Sequence, residues 1–381
     1  MDLEGKRDIN EILKTLEEGL REFMDGETYR KYLTSVGRFH DYSSSNIMLI
    51  SAQYPNASLV AGYSTWKKFN RFVKRGEHGI RIIAPVPVKV EREKVLTDEL
   101  GNRMKTTVQE TVPRFRTVTV FDIAQTDGEP LPDIAPGELR QAVKDYRNFL
   151  EALHRSSRVR IVYEDIPGGA KGQYEMLTDR IVIQKDMSEA QTVKTLVHEI
   201  AHSFLHDSLS GRSREGKSTK EVEAESVAYA VCSRFGIDTS DYTFPYVSGW
   251  SQDKDLKTLR TSMERIRDTA SHLIHLIEDN YGEICRENEL NQLAEELASV
   301  QMKGTGWCLA EHIEDKEQRK QVIERSLKTG DVSGLLDRIE IFIDAEDNGI
   351  RKDSLMDLMN KVKGYHKEEI ISVRERGGME R

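Results

Sequence analysis

The feature that most limits how this chain can fold is His198-Glu199-Ile200-Ala201-His202. Two histidines four residues apart share a face on a helix, where one turn separates them and their rings can hold one zinc ion at about 2.0–2.1 Å each. Glu199 then stands about 100° round the helix from His198, beside the ion rather than bound to it, where it can take a proton from water activated there. Neutral imidazole suits a borderline ion such as zinc, and a helix sets the separation without strain. Helical projection gathers Val193, Leu196, Val197, Ile200 and Phe204 into an apolar stripe, with His198 and His202 on its far side. Two satisfied core histidines would lie within that stripe, so a metal pair is the better reading; a solvated polar face is the other.

A catalytic zinc takes a third protein ligand and keeps a fourth position open. The extended pattern HExxHxxGxxH would supply a third histidine, but this chain has Leu205 and Ser208 at its last two fixed places. The next helix, read from about Glu221 to Phe235, offers Glu221, Glu223 and Glu225 around an apolar stripe of Ala224, Val227, Ala228, Val231 and Phe235. The Glu-Ala order at 223–224 matches zinc peptidases whose third ligand is a glutamate on a neighbouring helix. Glu223 is therefore the expected ligand, with Glu221 and Glu225 as alternates. His206 reads as a surface histidine, with a supporting hydrogen bond or a ligand role as alternatives. Tyr246 and Trp250 read as core, with a place in the cleft as the alternative.

Around this motif the chain has room for two or three domains in its 381 residues. Hydrophobic residues at 38% and charged residues at 32% are a globular mixture, and no apolar run approaches the roughly 20 residues of a membrane span. The charged, amphipathic start predicts no secretory signal, and three cysteines without a CxxC predict a reducing cytoplasm rather than a disulfide scaffold. Gly128 to Pro136 holds three of the nine prolines and reads as a stiff linker. Before it, helices are expected over Glu11–Met24, Thr28–Val36 and about Thr65–Val73. A Gly76–Gly79 turn, a strand at Ile80–Ile83 and a hairpin about Glu99–Asn102 follow. After it come a helix over Glu138–Leu153, strands Val159–Tyr163 and Arg180–Gln184 joined by a Gly168–Gly172 turn, and the HExxH helix opened by a Ser188/Gln191 capping box. Almost everything from Leu256 on reads helical, with breaks at Gly304–Gly306 and Gly330. Asp344 to Gly349 imitates the start of a calcium loop, but Leu355 stands where the bidentate glutamate belongs, so a capped turn is expected.

The net charge of −9 argues against general coating of nucleic acid, yet Val60–Val90 holds seven Lys or Arg against one Glu. There Tyr63, Trp66, Phe69 and Phe72 interleave with Lys67, Lys68, Arg71, Lys74 and Arg75. Basic grooves with aromatic platforms hold single strands, each stacked base contributing roughly 1–3 kcal/mol. If 65–73 is helical, Trp66, Phe69 and Val73 form a core side and the lysines and arginines a positive face. A solvated basic helix is the competing reading.

The pair LVHEIAHSFLH and EVEAESVAYAVCSRFGID resembles the ImmA/IrrE-type zinc metallopeptidases. FHDYSSSNIMLI, VAGYSTWKKFNRFVKRGEHGIRIIAPV and FDIAQTDGEPLP resemble the ArdC-type N-terminal domain of antirestriction and conjugation-associated proteins of mobile elements. The resemblance spans roughly residues 30–250. It implies an α+β chain: a single-stranded-DNA-binding domain over 1–132, a zincin-like metallopeptidase domain over 138–280 and a helical region of no assigned role over 281–381. On this reading Zn²⁺ sits on His198, His202 and Glu223, with Glu199 as general base. Trp66, Lys67, Lys68, Arg71, Lys74, Arg75 and Arg81, with Tyr42 and Asn46, meet DNA. The implied partners are single-stranded DNA and a protein substrate, a repressor or restriction component. The alternative is a non-catalytic DNA-binding antirestriction protein whose zinc is structural.

Overall fold

The computed structural model describes residues 16, 26–97, 103–131, 145–206, 216–237, 255–301, 308–310 and 313–365. Most of the helix expected over Glu11–Met24, the end of the proline linker, Tyr246, Trp250 and the Gly304–Gly306 break lie outside these residues. The fold is α+β, and the chain divides into two compact units, residues 1–280 and 281–381.

In the first unit, α1 (Gly26–Arg38) buries Tyr29, Tyr32, Leu33 and Val36, the spacing of one helical face. Its Gly37 lets it cross another helix closely, since a Cβ there would come within 2.4 Å of the Ala230 carbonyl oxygen. Ser43 caps α2 (Ser44–Gln53) by accepting the Asn46 N–H. Strands β1 (Val60–Gly62), β3 (Ile80–Thr97) and β4 (Arg103–Asp122) form a sheet in the order β1-β4-β3. The β3–β4 ladder runs from Ile80↔Val120 to Thr97↔Arg103, a hairpin whose turn residues are not among those described.

Two amides on α2 stand in for a missing strand beside β3. Asn46 donates to the Ile83 carbonyl (2.8 Å) and accepts the Ile83 N–H (2.9 Å). Two helical turns on, Gln53 does the same with Arg81, at 2.8 and 2.9 Å. An otherwise open sheet edge is thereby satisfied.

The helix expected over 65–73 is shorter and earlier. α3 (Tyr63–Lys68) stops because Asn70 takes a left-handed φ of 53°, which asparagine tolerates, and β2 (Arg71–Val73) then pairs with β5 (Thr126–Gly128). Between β4 and β5 the 3-10 turn Ile123–Gln125 is capped by buried Asp122, whose carboxylate also accepts the Ser58 and Leu59 N–H groups at 2.6 and 3.0 Å.

Helix α4 (Tyr146–Ser156) leads into a three-stranded sheet, β6 (Arg160–Glu164), β7 (Gly172–Glu175) and β8 (Arg180–Gln184), in the order β6-β8-β7. Two strands joined by a glycine turn were expected. Instead β6 and β8 are parallel, and the connection itself supplies β7, antiparallel to β8 at the sheet edge. Gly168 and Gly169 make the turn, with φ of 86° and 81°. Helix α5 (Glu189–Leu205) opens on Ser188, which accepts the Gln191 N–H. The expected reciprocal box is half made, because the Gln191 amide goes to Thr195 and Lys171 instead.

Helix α6 (Lys217–Arg234) begins one turn before the expected Glu221 and packs on α1 and α5, with Ala224, Val227, Ala228 and Val231 fully buried. Helix α7 (Leu256–Ala298) contributes Leu259, Met263, Ile266, Ala270 and Leu273 to the first unit's core.

The second unit has its own core, where Leu293 and Leu297 of α7 meet Ile323 and Leu327 of α8 (Lys316–Thr329) and Ile339 and Phe342 of α9 (Ser333–Asp344). Gly330 ends α8 in the left-handed region at φ 68°. Asn348 caps α10 (Gly349–Lys363), so the stretch from Asp344 is a capped turn between helices.

Candidate metal centre

Helix α5 is buried on nearly every side, by Val193, Leu196, Val197, Ile200, Ala201 and Leu205, which leaves His198 and His202 as a half-open window onto a groove. The two rings converge: their Nε2 atoms are 3.1 Å apart. Glu221, in the second turn of α6, brings Oε2 to 3.7 Å from His198 and 3.5 Å from His202. Donors about 2.0–2.1 Å from a tetrahedral ion stand about 3.3–3.4 Å from one another. This triangle therefore fits a single divalent ion. Two lone-pair nitrogens and a carboxylate facing one point are also a donor set that suits zinc.

Glu223 is not part of it. Its side chain is fully buried and meets Arg265 at 3.1 Å. Two residues along a helix turn it by about 200°, so Glu221 and Glu223 leave α6 on opposite sides. The expected ligand Glu223 therefore points away from the histidines, and the alternate Glu221 faces them. Glu225, four residues after Glu221, returns to the first side and lines the groove beside His198 and Glu199.

The charges in the cluster are mutually set. Hydrogen bonds from His198 and His202 hold the Glu221 carboxyl well below the usual carboxylate range. Burial disfavours the charged form of His198, but the Glu221 hydrogen bond and the charges of Glu199, Glu221 and Glu225 outweigh it and raise its pKa. Burial pushes Glu199 and Glu225 up, against the pull of His198 on both and of His202 on Glu199.

Glu199 is 7% exposed and accepts the Tyr174 backbone N–H from edge strand β7. Gly172 on the same strand makes the space, since a Cβ there would lie 3.0 Å from both Cγ and Oε1 of Glu199 and 2.6 Å from Thr195 Cγ2. Neither Gly172 nor the Tyr174 amide was singled out from the sequence, because β7 itself was read as turn. Grooves on both sides of the cluster share Gly172, His198 and Glu199 in their walls. His206 is neither a ligand nor a surface residue: it is buried, and its Nε2 bonds to the Lys220 carbonyl at 3.1 Å, fixing the chain just before Glu221.

The residues expected to meet DNA separate into two groups. Trp66 is 1% exposed and donates to the Phe121 carbonyl at 2.9 Å. Tyr42 donates to the Val60 carbonyl, and Asn46 is held on β3 as described. Arg71 spends its guanidinium on Thr126 and the Glu129 carbonyl, and Lys74 bonds the Ala124 carbonyl at 2.9 Å. Arg81 is half-buried on β3, with its backbone bonded to Gln53. Trp66, Tyr42, Asn46, Arg71 and Lys74 thus have structural employment for their side chains, and Arg81 for its backbone. Lys67, Lys68 and Arg75 are exposed, and among the described residues no carboxylate pairs with them. Of the aromatics in the basic segment, Tyr63 (57%) and Phe72 (52%) face solvent and Trp66 does not. Strand alternation at Arg71-Phe72-Val73 would have marked Phe72 as outward, but only once a strand was read there.

Within the first unit, residues 1–280, an α+β N-terminal part is thus followed by a part built round an HExxH helix. Comparison with known proteins agrees. Residues 6–121 match the N-terminal domain of anti-restriction factor ArdC, and residues 155–245 match the IrrE N-terminal-like domain of the M78 peptidases. The chain thus carries an ArdC-like N-terminal segment followed by an IrrE-like segment. It is 28% identical over 321 residues to an uncharacterized protein of Bacillus anthracis, covering 75% of this chain. It spans about half, 54%, of that relative's length. Two crystal structures of the antirestriction protein ArdC of plasmid R388 are also similar. The metal-free form is 22% identical with a TM-score of 0.41, covering 64% of this chain and 86% of that one. The Mn(II)-bound form is 21% identical with a TM-score of 0.39, covering 63% and 85%.

Proposed function

We propose that the chain binds single-stranded DNA through its first domain and hydrolyses a peptide bond at the metal centre, acting for a mobile element in antirestriction or conjugative transfer. The observation that carries the hydrolase reading is Glu199, buried beside three convergent donors in a groove open on both sides of them. When bound on His198, His202 and Glu221, a zinc ion supplies Lewis acidity to a carbonyl and lowers the pKa of water.

The chain's own residues do the rest. Glu199, its pKa raised by burial, takes the proton of the attacking water and returns it to the leaving amine. The Tyr174 N–H keeps one oxygen of that carboxylate oriented, and β7, which pairs with β8 alone among the described strands, keeps the Gly172 N–H and the Gly172 and Tyr174 carbonyls on its other edge for an extended peptide. Three donors with Glu221 half exposed leave an open side, which favours catalytic over structural use of the ion.

For DNA, the support is the exposed set Tyr63, Phe72, Lys67, Lys68 and Arg75, aromatic faces and cations that no described carboxylate pairs with, within one short segment. We place the protein in the cytoplasm, where its free cysteines remain reduced. No described helix is long and apolar enough to cross a membrane.

Glu199→Gln tests the reading. Loss of cleavage of a co-expressed repressor or restriction subunit, with metal retained, supports hydrolysis. Protection of entering DNA at the wild-type level by that variant would establish the non-catalytic alternative, with the ion structural.

A further inference from the structure

A second constellation lies away from the HExxH groove. His40 and Asp41, between α1 and α2, meet His275 of α7, and one donor atom from each lies within 4.8 Å of the others. Asp41 Oδ1 is 3.0 Å from His275 Nε2, and Asp41 Oδ2 is 4.0 Å from His40 Nε2. The two imidazoles meet edge to face, with centroids 4.9 Å apart.

The tautomer of His40 is settled by its partner. A carbonyl only accepts, so at 3.2 Å from the Gly37 oxygen the Nδ1 atom carries the proton. With Nδ1 so protonated, Nε2 is the ring atom of His40 that can offer a lone pair, and it lies 4.0 Å from Asp41 Oδ2, beyond hydrogen-bond reach. An ordinary Asp41–His275 ion pair, at 3.0 Å, accounts for one imidazole and leaves the second outside it. A cation between the three satisfies all of them, and a backbone carbonyl behind the δ nitrogen is the usual support of a metal-bound histidine. His40 is buried while Asp41 and His275 are exposed, which gives an anchored ligand and two that close from solvent.

We propose that His40, Asp41 and His275 form a second divalent transition-metal site, which ties the α1–α2 connection to helix α7. Two imidazoles and one carboxylate select zinc-like ions over magnesium or calcium. His275 lies outside both matched domains, residues 6–121 and 155–245, so the site belongs to neither domain alone.

The test is a Co²⁺ titration of the full, metal-stripped chain, read by visible d–d absorption and by calorimetry. Wild type is expected to take two equivalents. His275→Ala and Asp41→Asn, both surface changes, should each take one. The His198→Ala/His202→Ala double variant should also take one, and should still gain thermal stability on adding metal. The inference is overturned if wild type binds a single equivalent that the His198→Ala/His202→Ala variant loses, or if His275→Ala and Asp41→Asn both keep two. Either result leaves the HExxH reading standing.

Discussion

The chemistry of the groove turns on individual side chains whose roles are set by helix angle. Glu221 and Glu223 differ by two positions and about 200°, and that angle separates a carboxylate beside two imidazoles from one buried against Arg265. The residue types of the site were legible in HEIAH and EVEAE, but the face of α6 was not. It depends on where that helix lies against α1 and α5, which composition and Glu-Ala order do not encode. Glu199→Gln should lower hydrolysis by about 10²–10⁴-fold with metal content unchanged, read by kinetics and metal analysis together. Gly172→Val should also keep the ion, yet lose about 10²-fold in rate, because its branched side chain displaces the Glu199 carboxylate. A Gly172→Val chain as active as wild type would remove β7 from the account. Glu223→Ala should destabilise the first unit by about 3–5 kcal/mol in urea titration, since it removes the buried carboxylate of the Glu223–Arg265 ion pair.

At the scale of elements, the basic segment shows how one torsion redistributes roles. Read as a continuous helix, 65–73 gives a core side and a cationic side. Asn70 at φ 53° ends the helix and turns the remainder into β2, so Phe72 faces outward while Arg71 is drawn into hydrogen bonds with β5. Periodicity was informative on either side of that point. Tyr29, Tyr32, Leu33 and Val36 mark α1, and alternating valines mark the β3–β4 hairpin. It failed for GQYE, where no β-branched residue advertises β7. Tyr63→Ala and Phe72→Ala should each weaken single-strand binding by about 1–3 kcal/mol, with no change in melting temperature. Trp66→Ala should do the opposite, costing about 3–5 kcal/mol of stability as a fully packed ring is lost. Fluorescence anisotropy beside thermal melts separates the two patterns. DNA affinity that falls only with Trp66 would restore the sequence-based assignment.

For the whole molecule, the division at Asn280 predicts two independently perturbed stabilities. An ion held by α5 and α6 stabilises the unit that contains them, by about 2.7 kcal/mol when free metal is a hundredfold above its dissociation constant. Chelation should therefore lower the melting of residues 1–280, while the core of Leu293, Ile323 and Phe342 melts as before. Within the first unit, Glu221 rather than Glu223 completes the proposed centre. This assignment is tested most directly by bound zinc per folded chain in Glu221→Ala and Glu223→Ala, prepared alike. Glu221→Ala is expected to hold one equivalent fewer than wild type, and Glu223→Ala to lose none. Full zinc in the first and a missing equivalent in the second would contradict it.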